Sequence, residues 1–186
     1  MQDISVKPNM SDCRTEGMTA DDWSAVRSIY LEGIATGQAT FETAAPSWEM
    51  WDAAHLPFAR LIARDDRAVI GWAALSPVSR REAYKGVAEV SVYVAENSRG
   101  QGVGRTLLDQ LIQDSEQNGI WTLQAAVFPE NAATLALHKR CGFREVGRRE
   151  RISTLNNIWR DTVLLERRSE TVGVNKSTCV DHRTDV

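Results

Sequence analysis

Apolar positions along this chain change period several times, and each change predicts an element. Trp23, Val26, Tyr30, Gly33 and Ile34 recur at helical spacing behind a capping pair, Thr19 and Asp22, so a first helix is expected over about residues 21–33. Ser47 can cap a short second helix through Trp48 and Trp51, which must end before Pro57 because a residue preceding proline avoids helical geometry. The period then shortens. Residues 58–63 and 68–76 are apolar runs separated by Arg64-Asp65-Asp66-Arg67, the pattern of a hairpin. In 88–94 the alternation is strict, with Val90, Val92 and Val94 on one face and Glu89, Ser91 and Tyr93 on the other, so a carboxylate stands on a sheet surface. Leu107, Leu108, Leu111 and Ile112 mark the apolar stripe of a further helix, which Gly119 stops. Residues 120–127 read as a buried strand and 131–141 as a helix stopped by Gly142. Residues 145–151 and 158–165 read as two closing strands around Asn156-Asn157.

The resulting order, two helices followed by strands interleaved with two more helices, is that of a mixed α/β fold without internal repeats. Residues 1–17 and 168–186 are polar without a clear period and are expected to be loosely ordered ends of one domain over 18–167. The first strand is hard to place, because Asp12–Met18 lacks apolar alternation.

Composition narrows the class. With 186 residues the chain is long enough to bury a core without staples, and 42% hydrophobic against 25% charged residues is ordinary for a globular protein. The 22 Lys+Arg and 25 Asp+Glu give a net charge of −3, which disfavours a nucleic-acid partner, since phosphate neutralisation calls for a basic excess. Cys13, Cys141 and Cys179 form neither an even set nor a metal-binding spacing, so no disulfide framework and no metal site is expected. The first ten residues lack the basic-then-apolar order of a secretory signal and no apolar stretch approaches a membrane span; a cytoplasmic protein without a membrane partner is expected.

The sharpest chemical signal is Arg99-Gly100-Gln101-Gly102-Val103-Gly104, set between a regular strand and an amphipathic helix. Glycines there let the backbone turn tightly, and the free N–H groups of the helix N-terminus favour anionic oxygen such as a pyrophosphate. No Gly-Lys-Ser/Thr follows, so the loop is not a P-loop, and the early βαβ unit of a dinucleotide site is missing.

The stretch EVSVYVAENSRGQGVG, followed by a helix, a strand, PENAATLALHKRCGF and two final strands, resembles the GCN5-related N-acetyltransferases (GNAT), whose cofactor loop reads Arg/Gln-x-x-Gly-x-Gly/Ala. Within that superfamily TFET at 40–43, SRREAY at 79–84, AEVSVYV and LHKRCGF are similar to the phosphinothricin-type enzymes, which act on phosphinothricin, methionine sulfoximine or arsinothricin. The resemblance implies a central, mostly antiparallel sheet that splays open at the acetyl-CoA site, flanked by about four helices. It implies that the pantetheine arm of acetyl-CoA pairs with Val92, Tyr93 and Val94. The pyrophosphate would rest on Arg99, Gly100, Gln101, Gly102, Val103, Gly104 and Arg105. Asn131 matches an asparagine that meets the cofactor, and equally suits the N-cap of its helix. A homodimer is a further implication.

Glu89 is then the expected general base, because an amino-acid amine must lose a proton before it attacks a thioester; taken alone, such a residue is more often a solvated sheet glutamate. His138 stands where many superfamily members carry the tyrosine that protonates the departing thiolate, and is the candidate acid; a lone helical histidine is also commonly structural. Arg81 aligns with a substrate-binding arginine of the family, with Arg80 beside it, and a guanidinium suits a carboxylate or phosphinate. Tyr84, Phe41 and Trp159 are candidate pocket walls, and Arg160 a further anion contact. Cys141, in a helix-terminal CGF, is read as a packing residue. The expected function is direct N-acetylation of a toxic glutamate-like amino acid, giving resistance. The alternatives are acetylation of another small amine and a non-catalytic acyl-CoA-binding module.

Overall fold

The computed structural model describes residues 13–174. Seven strands form one sheet in the order β1-β2-β3-β4-β5-β7-β6. They are β1 (Arg14–Gly17), β2 (Leu61–Arg64), β3 (Val69–Pro77), β4 (Val87–Val94), β5 (Thr122–Val127), β6 (Arg144–Leu155) and β7 (Ile158–Arg168), with helices α1 (Trp23–Ala35), α2 (Trp48–Ala54), α3 (Val103–Gln117) and α4 (Ala132–Arg140). All neighbouring strands are antiparallel except β4 and β5. The expected mixed, mostly antiparallel α/β fold with four helices is what the chain forms.

The two faces of the sheet are covered by different helices. α1 buries Val26, Ile29, Tyr30 and Gly33, a helical stripe, and with Trp51 of α2 packs on Ile62, Val69, Trp72 and Ala74. α3 buries Leu107, Leu108, Leu111 and Ile112 against the opposite face, on Ala63, Ala73, Leu75, Ala88 and Val90. Local signals act as expected at the ends. The Asp22 carboxylate accepts the Thr19 backbone N–H at 2.9 Å, and Ser47 Oγ accepts from Met50 N at 3.3 Å. Asn156 and Asn157 both adopt positive φ, 51° and 63°, which a two-residue turn matched to strand twist requires. Gly33 sits inside α1 because Tyr93 lies across it: a Cβ there would stand 2.7 Å from the tyrosine ring.

Two boundaries correct the sequence reading. The last four residues of the supposedly loose N-terminal segment are β1, paired with β2 from Arg14↔Arg64 to Gly17↔Leu61. As an edge strand it is bonded on one side and largely exposed, so it needs no apolar alternation; Arg64 Nε donates to Glu16 at 2.6 Å. At the other end β7 runs to Arg168, and Ser169 N donates to Trp121 O at 2.9 Å. Residues 1–12 and 175–186, with Cys179, lie outside the described residues.

Candidate active site

The site is built on an interruption of the sheet. β4 pairs with β5 only over Val87↔Thr122, Ala88↔Leu123 and Glu89↔Gln124. Beyond Glu89 the two strands part, and β5 continues against β7 up to Val127↔Val163. The splay expected from the resemblance is therefore present, and the β4 edge from Val90 onward faces no strand there. A cavity of about 280 Å³ occupies the gap, lined by Glu89–Tyr93, Ala125–Phe128 and Gln38–Glu42, with Asn131, Thr134 and His138 contributing from α4 and its cap.

Of the expected site residues, this cavity collects Glu89, Val92, Tyr93, Phe41, Asn131 and His138. Glu89 is open to water on one side, yet the surrounding protein pushes its pKa above the usual glutamate range; the charge of Arg149 works in the opposite direction. His138 is buried, 3% exposed, with Nδ1 2.9 Å from Thr134 O and its ring edge-on to Phe143. A carbonyl oxygen can only accept, so Nδ1 carries the proton and neutral Nε2 presents a lone pair, for which the described residues offer no partner. Burial lowers the His138 pKa, the bond to Thr134 opposing. In its resting state this histidine has no proton on Nε2 to give.

The Tyr93 side chain stacks on Trp72 at 4.7 Å and lies edge-on to Tyr30 at 4.9 Å. Asn131 is engaged on both sides: Oδ1 accepts from Thr134 N and Nδ2 donates to Gln38 O, each at 3.1 Å. The amide is thus both an N-cap and a tether for the Gln38–Glu42 wall. Arg160 serves the same wall, donating to Gly37 O at 3.2 Å and to Glu130 at 3.1 Å while lying 4.3 Å over Phe128, which meets Phe41 edge-on at 4.8 Å. It is a clamp here, not a free anion contact.

The remaining expected residues stand elsewhere. Arg80, Arg81 and Tyr84 are exposed on the β3–β4 connection, with Arg81 5.5 Å over the Tyr84 ring. Trp159 is 61% exposed beside the β6–β7 turn. None of the four lines the cavity of a single chain. The Cys141 thiol is pushed up to about 11 by burial and by Asp109, so it is no nucleophile at neutral pH. Thr40, Thr134 and the 125–128 wall carry no sequence signal that marks them as lining.

The glycine loop fits an anionic cofactor. Gly100 and Gly102 have φ of 75° and 87°, no side chain caps α3, and a Cβ at Gly100 would meet nothing within 4 Å. The N-terminus of a four-turn helix thus opens onto free space with its first N–H groups available. Arg99 Nε donates to Val94 O at 3.1 Å and Gln101 Nε2 to Asn97 O at 2.8 Å, fixing the loop to the end of β4. Gly102→Ala is expected to cost about 1–2 kcal/mol through the left-handed backbone and to raise KM for acetyl-CoA roughly 10-fold, with kcat less affected. Steady-state kinetics at varied acetyl-CoA checks this.

A split strand pair, an uncapped glycine loop and a carboxylate at the split define an acetyl-CoA-dependent acyltransferase, and the comparison with known proteins agrees: the chain belongs to the acetyltransferase (GNAT) family, whose model matches residues 23–143. Among its relatives, phosphinothricin N-acetyltransferase of Alcaligenes faecalis is 35% identical over 175 residues, 89% of this chain and 87% of that protein. L-methionine sulfoximine/L-methionine sulfone acetyltransferase of Pseudomonas aeruginosa is 33% identical over 98 residues, 53% of this chain and 57% of that one. The crystal structure of a GNAT superfamily phosphinothricin acetyltransferase from Sinorhizobium meliloti in complex with AcCoA matches with a TM-score of 0.79 and 27% identity, covering 93% of this chain and 97% of that chain. The protein is an acetyltransferase that uses acetyl-CoA. Among the described residues no helix is long and apolar enough to cross a membrane.

Proposed function

We propose that this enzyme acetylates the α-amino group of a toxic glutamate-like amino acid of the phosphinothricin, arsinothricin and methionine sulfoximine class, and so confers resistance. The observation that carries the reading is Glu89, a carboxylate of raised pKa at the last paired residue before β4 and β5 separate. Acetyl-CoA supplies an electrophilic thioester carbonyl. Glu89 takes a proton from the ammonium, directly or through a water, and leaves the amine free to attack. Backbone N–H groups on the unpaired side of β4, those of Val92 and Val94, donate to the carbonyl oxygen as negative charge grows on it. Once the nitrogen has bonded to the carbonyl carbon it gives up its second surplus proton to neutral His138 Nε2, and His138 passes that proton to the sulfur as the C–S bond breaks. The Gly100–Arg105 backbone holds the pyrophosphate.

On this reading Arg81, with Arg80, holds the anion at the far end of the substrate, and Phe41, Tyr84 and Trp159 form walls. The enzyme works as a cytoplasmic homodimer; Ile152, Ile158 and Trp159, exposed by 48, 65 and 61%, give the β6–β7 hairpin an apolar end suited to a second copy. The test is release of free thiol from acetyl-CoA by the purified chain with phosphinothricin, arsinothricin, methionine sulfoximine, glutamate and spermidine. Turnover should be fastest with one of the three toxic analogues. Absence of turnover with all of them, or preference for spermidine, refutes the assignment.

A further inference from the structure

One wall of the cavity has no ladder of its own. Between the end of α1 and the start of α2, residues 36–47 form neither helix nor strand. Among the described residues no backbone–backbone hydrogen bond involves 38–46. Gln38–Glu42 nevertheless stand in the cavity with Glu89. A segment that lines a site without backbone pairing must be held there by side chains from other elements. The wall lies on the side of the sheet that carries the base. Glu89, Ser91 and Tyr93 share one face of β4, and Tyr93 meets Tyr30 of α1 there. Val92 and Val94 take the other face, toward α3, where a Cβ on Gly104 would stand 3.5 Å from Val94. The glycine loop thus belongs to the α3 side and the 37–42 connection to the α1 side, with Glu89.

Two side chains grip this connection at consecutive carbonyls. Arg160 Nη1 donates to Gly37 O at 3.2 Å and Asn131 Nδ2 donates to Gln38 O at 3.1 Å. Arg160 comes from β7, beyond the last β5 pairing at Val127↔Val163, level with the β5–α4 connection. There Nη2 donates to Glu130 at 3.1 Å, and Cζ lies 4.3 Å from the Phe128 ring centroid. Phe128 is 3% exposed and meets Phe41 edge-on at 4.8 Å. One largely buried guanidinium therefore ties the connection that carries Phe41 to the opposite wall that carries Phe128. Its planar fork suits the task, since each terminal nitrogen reaches a different segment.

We infer that Arg160 is a positioning residue of the acceptor site: by fastening the 37–42 wall to Phe128 and Glu130 it sets how closely that wall approaches Glu89, and with it the KM for the acceptor amine. It touches neither reacting group. The inference rests on the amino-acid reading of the substrate for its choice of acceptors.

The test compares Arg160→Met, Arg160→Lys and Asn131→Asp with the unaltered enzyme on phosphinothricin and methionine sulfoximine. Methionine keeps an apolar stem over Phe128 and removes every donor; aspartate at 131 keeps the helix cap and removes the donor to Gln38 O. Arg160→Met should raise KM for both acceptors about 10-fold while KM for acetyl-CoA stays within about 2-fold, because a displaced wall spoils the fit of the acceptor and leaves the glycine loop as it was. Arg160→Lys should recover part of the loss, since it keeps the charge beside Glu130 and loses the fork. Asn131→Asp should also raise acceptor KM, and combined with Arg160→Met the two rises should fall short of multiplying, because both side chains hold one segment. Chymotryptic cleavage after Phe41 should quicken about 10-fold in Arg160→Met, as the released connection opens more often. Unchanged acceptor KM, equal rises for acceptors and acetyl-CoA, or unaltered cleavage at Phe41 overturns the assignment. So does a rise confined to phosphinothricin, whose far end is anionic, since that would make Arg160 a direct anion contact. If the unaltered enzyme acetylates no amino acid, the proposed function fails by itself, and cleavage at Phe41 still decides whether Arg160 holds the wall.

Discussion

Glu89→Gln lowers kcat by about 10²- to 10⁴-fold while KM for acetyl-CoA stays within a few-fold of its starting value. Glutamine keeps the shape and the hydrogen-bonding length of the side chain and removes only the ability to take a proton, so the loss falls on the transfer step. The pH profile separates this from a structural effect. A base acts when deprotonated, and surrounding protein raises the Glu89 pKa above the ordinary glutamate value. In the unaltered enzyme kcat/KM should therefore fall as pH is lowered through that raised pKa, and the acid limb assigned to Glu89 should vanish in the glutamine variant. Near-normal turnover across pH in Glu89→Gln would remove Glu89 from the mechanism.

The second large effect is on stability. Trp72 is 1% exposed and touches three aromatic rings: it stacks on Tyr93 at 4.7 Å and meets Tyr30 and Trp51 edge-on at 5.6 and 5.8 Å. Trp72→Ala leaves a void among side chains anchored on separate elements, and about 3–5 kcal/mol of unfolding free energy should be lost. Trp72→Phe should cost clearly less. It keeps a ring in place and deletes the indole N–H, a buried donor with no partner among the described residues, so part of the lost packing is offset. Denaturant unfolding of both variants measures the contrast. A loss from Trp72→Ala no larger than that from Trp72→Phe would mean that the cluster is not a packed unit. Because Tyr93 belongs to the same cluster, the alanine variant should also loosen the end of β4 and weaken cofactor binding.

What could be read along the chain followed from short-range physics. The stripe of α1, the strict alternation of β4, the Ser47 cap, the Asn156-Asn157 turn and the glycine loop each depend on residues a few positions apart, and each formed where expected. β1 escaped notice because an exposed edge strand owes its position to β2, not to its own pattern. The site was half legible. Glu89, Phe41, Asn131 and His138 share the cavity, but resemblance, not periodicity, singled them out. The register of β6 was illegible for a geometric reason. β6 shifts register against β7 between Glu145 and Gly147 and again between Arg149 and Ser153, with Arg151 at a φ of 48°, so which β6 side chain stands opposite Thr162 cannot be counted from the turn. Asn131 is the opposite case: the cap that its sequence suits forms, and the same side chain lines the cavity.

The separation of β4 from β5 also affects how firmly the fold holds itself together. Over Val90–Val94 the β4 strand is laddered to β3 alone, so one side of its backbone is left for a ligand to pair with. On the proposed reading, acetyl-CoA pairing there would extend the ladder as well as supply the acetyl group. By mass action, a ligand present at 100 times its Kd adds about 2.7 kcal/mol to the unfolding free energy. The cosubstrate is in that sense a folding partner, and an enzyme deprived of acetyl-CoA would be easier to unfold as well as idle.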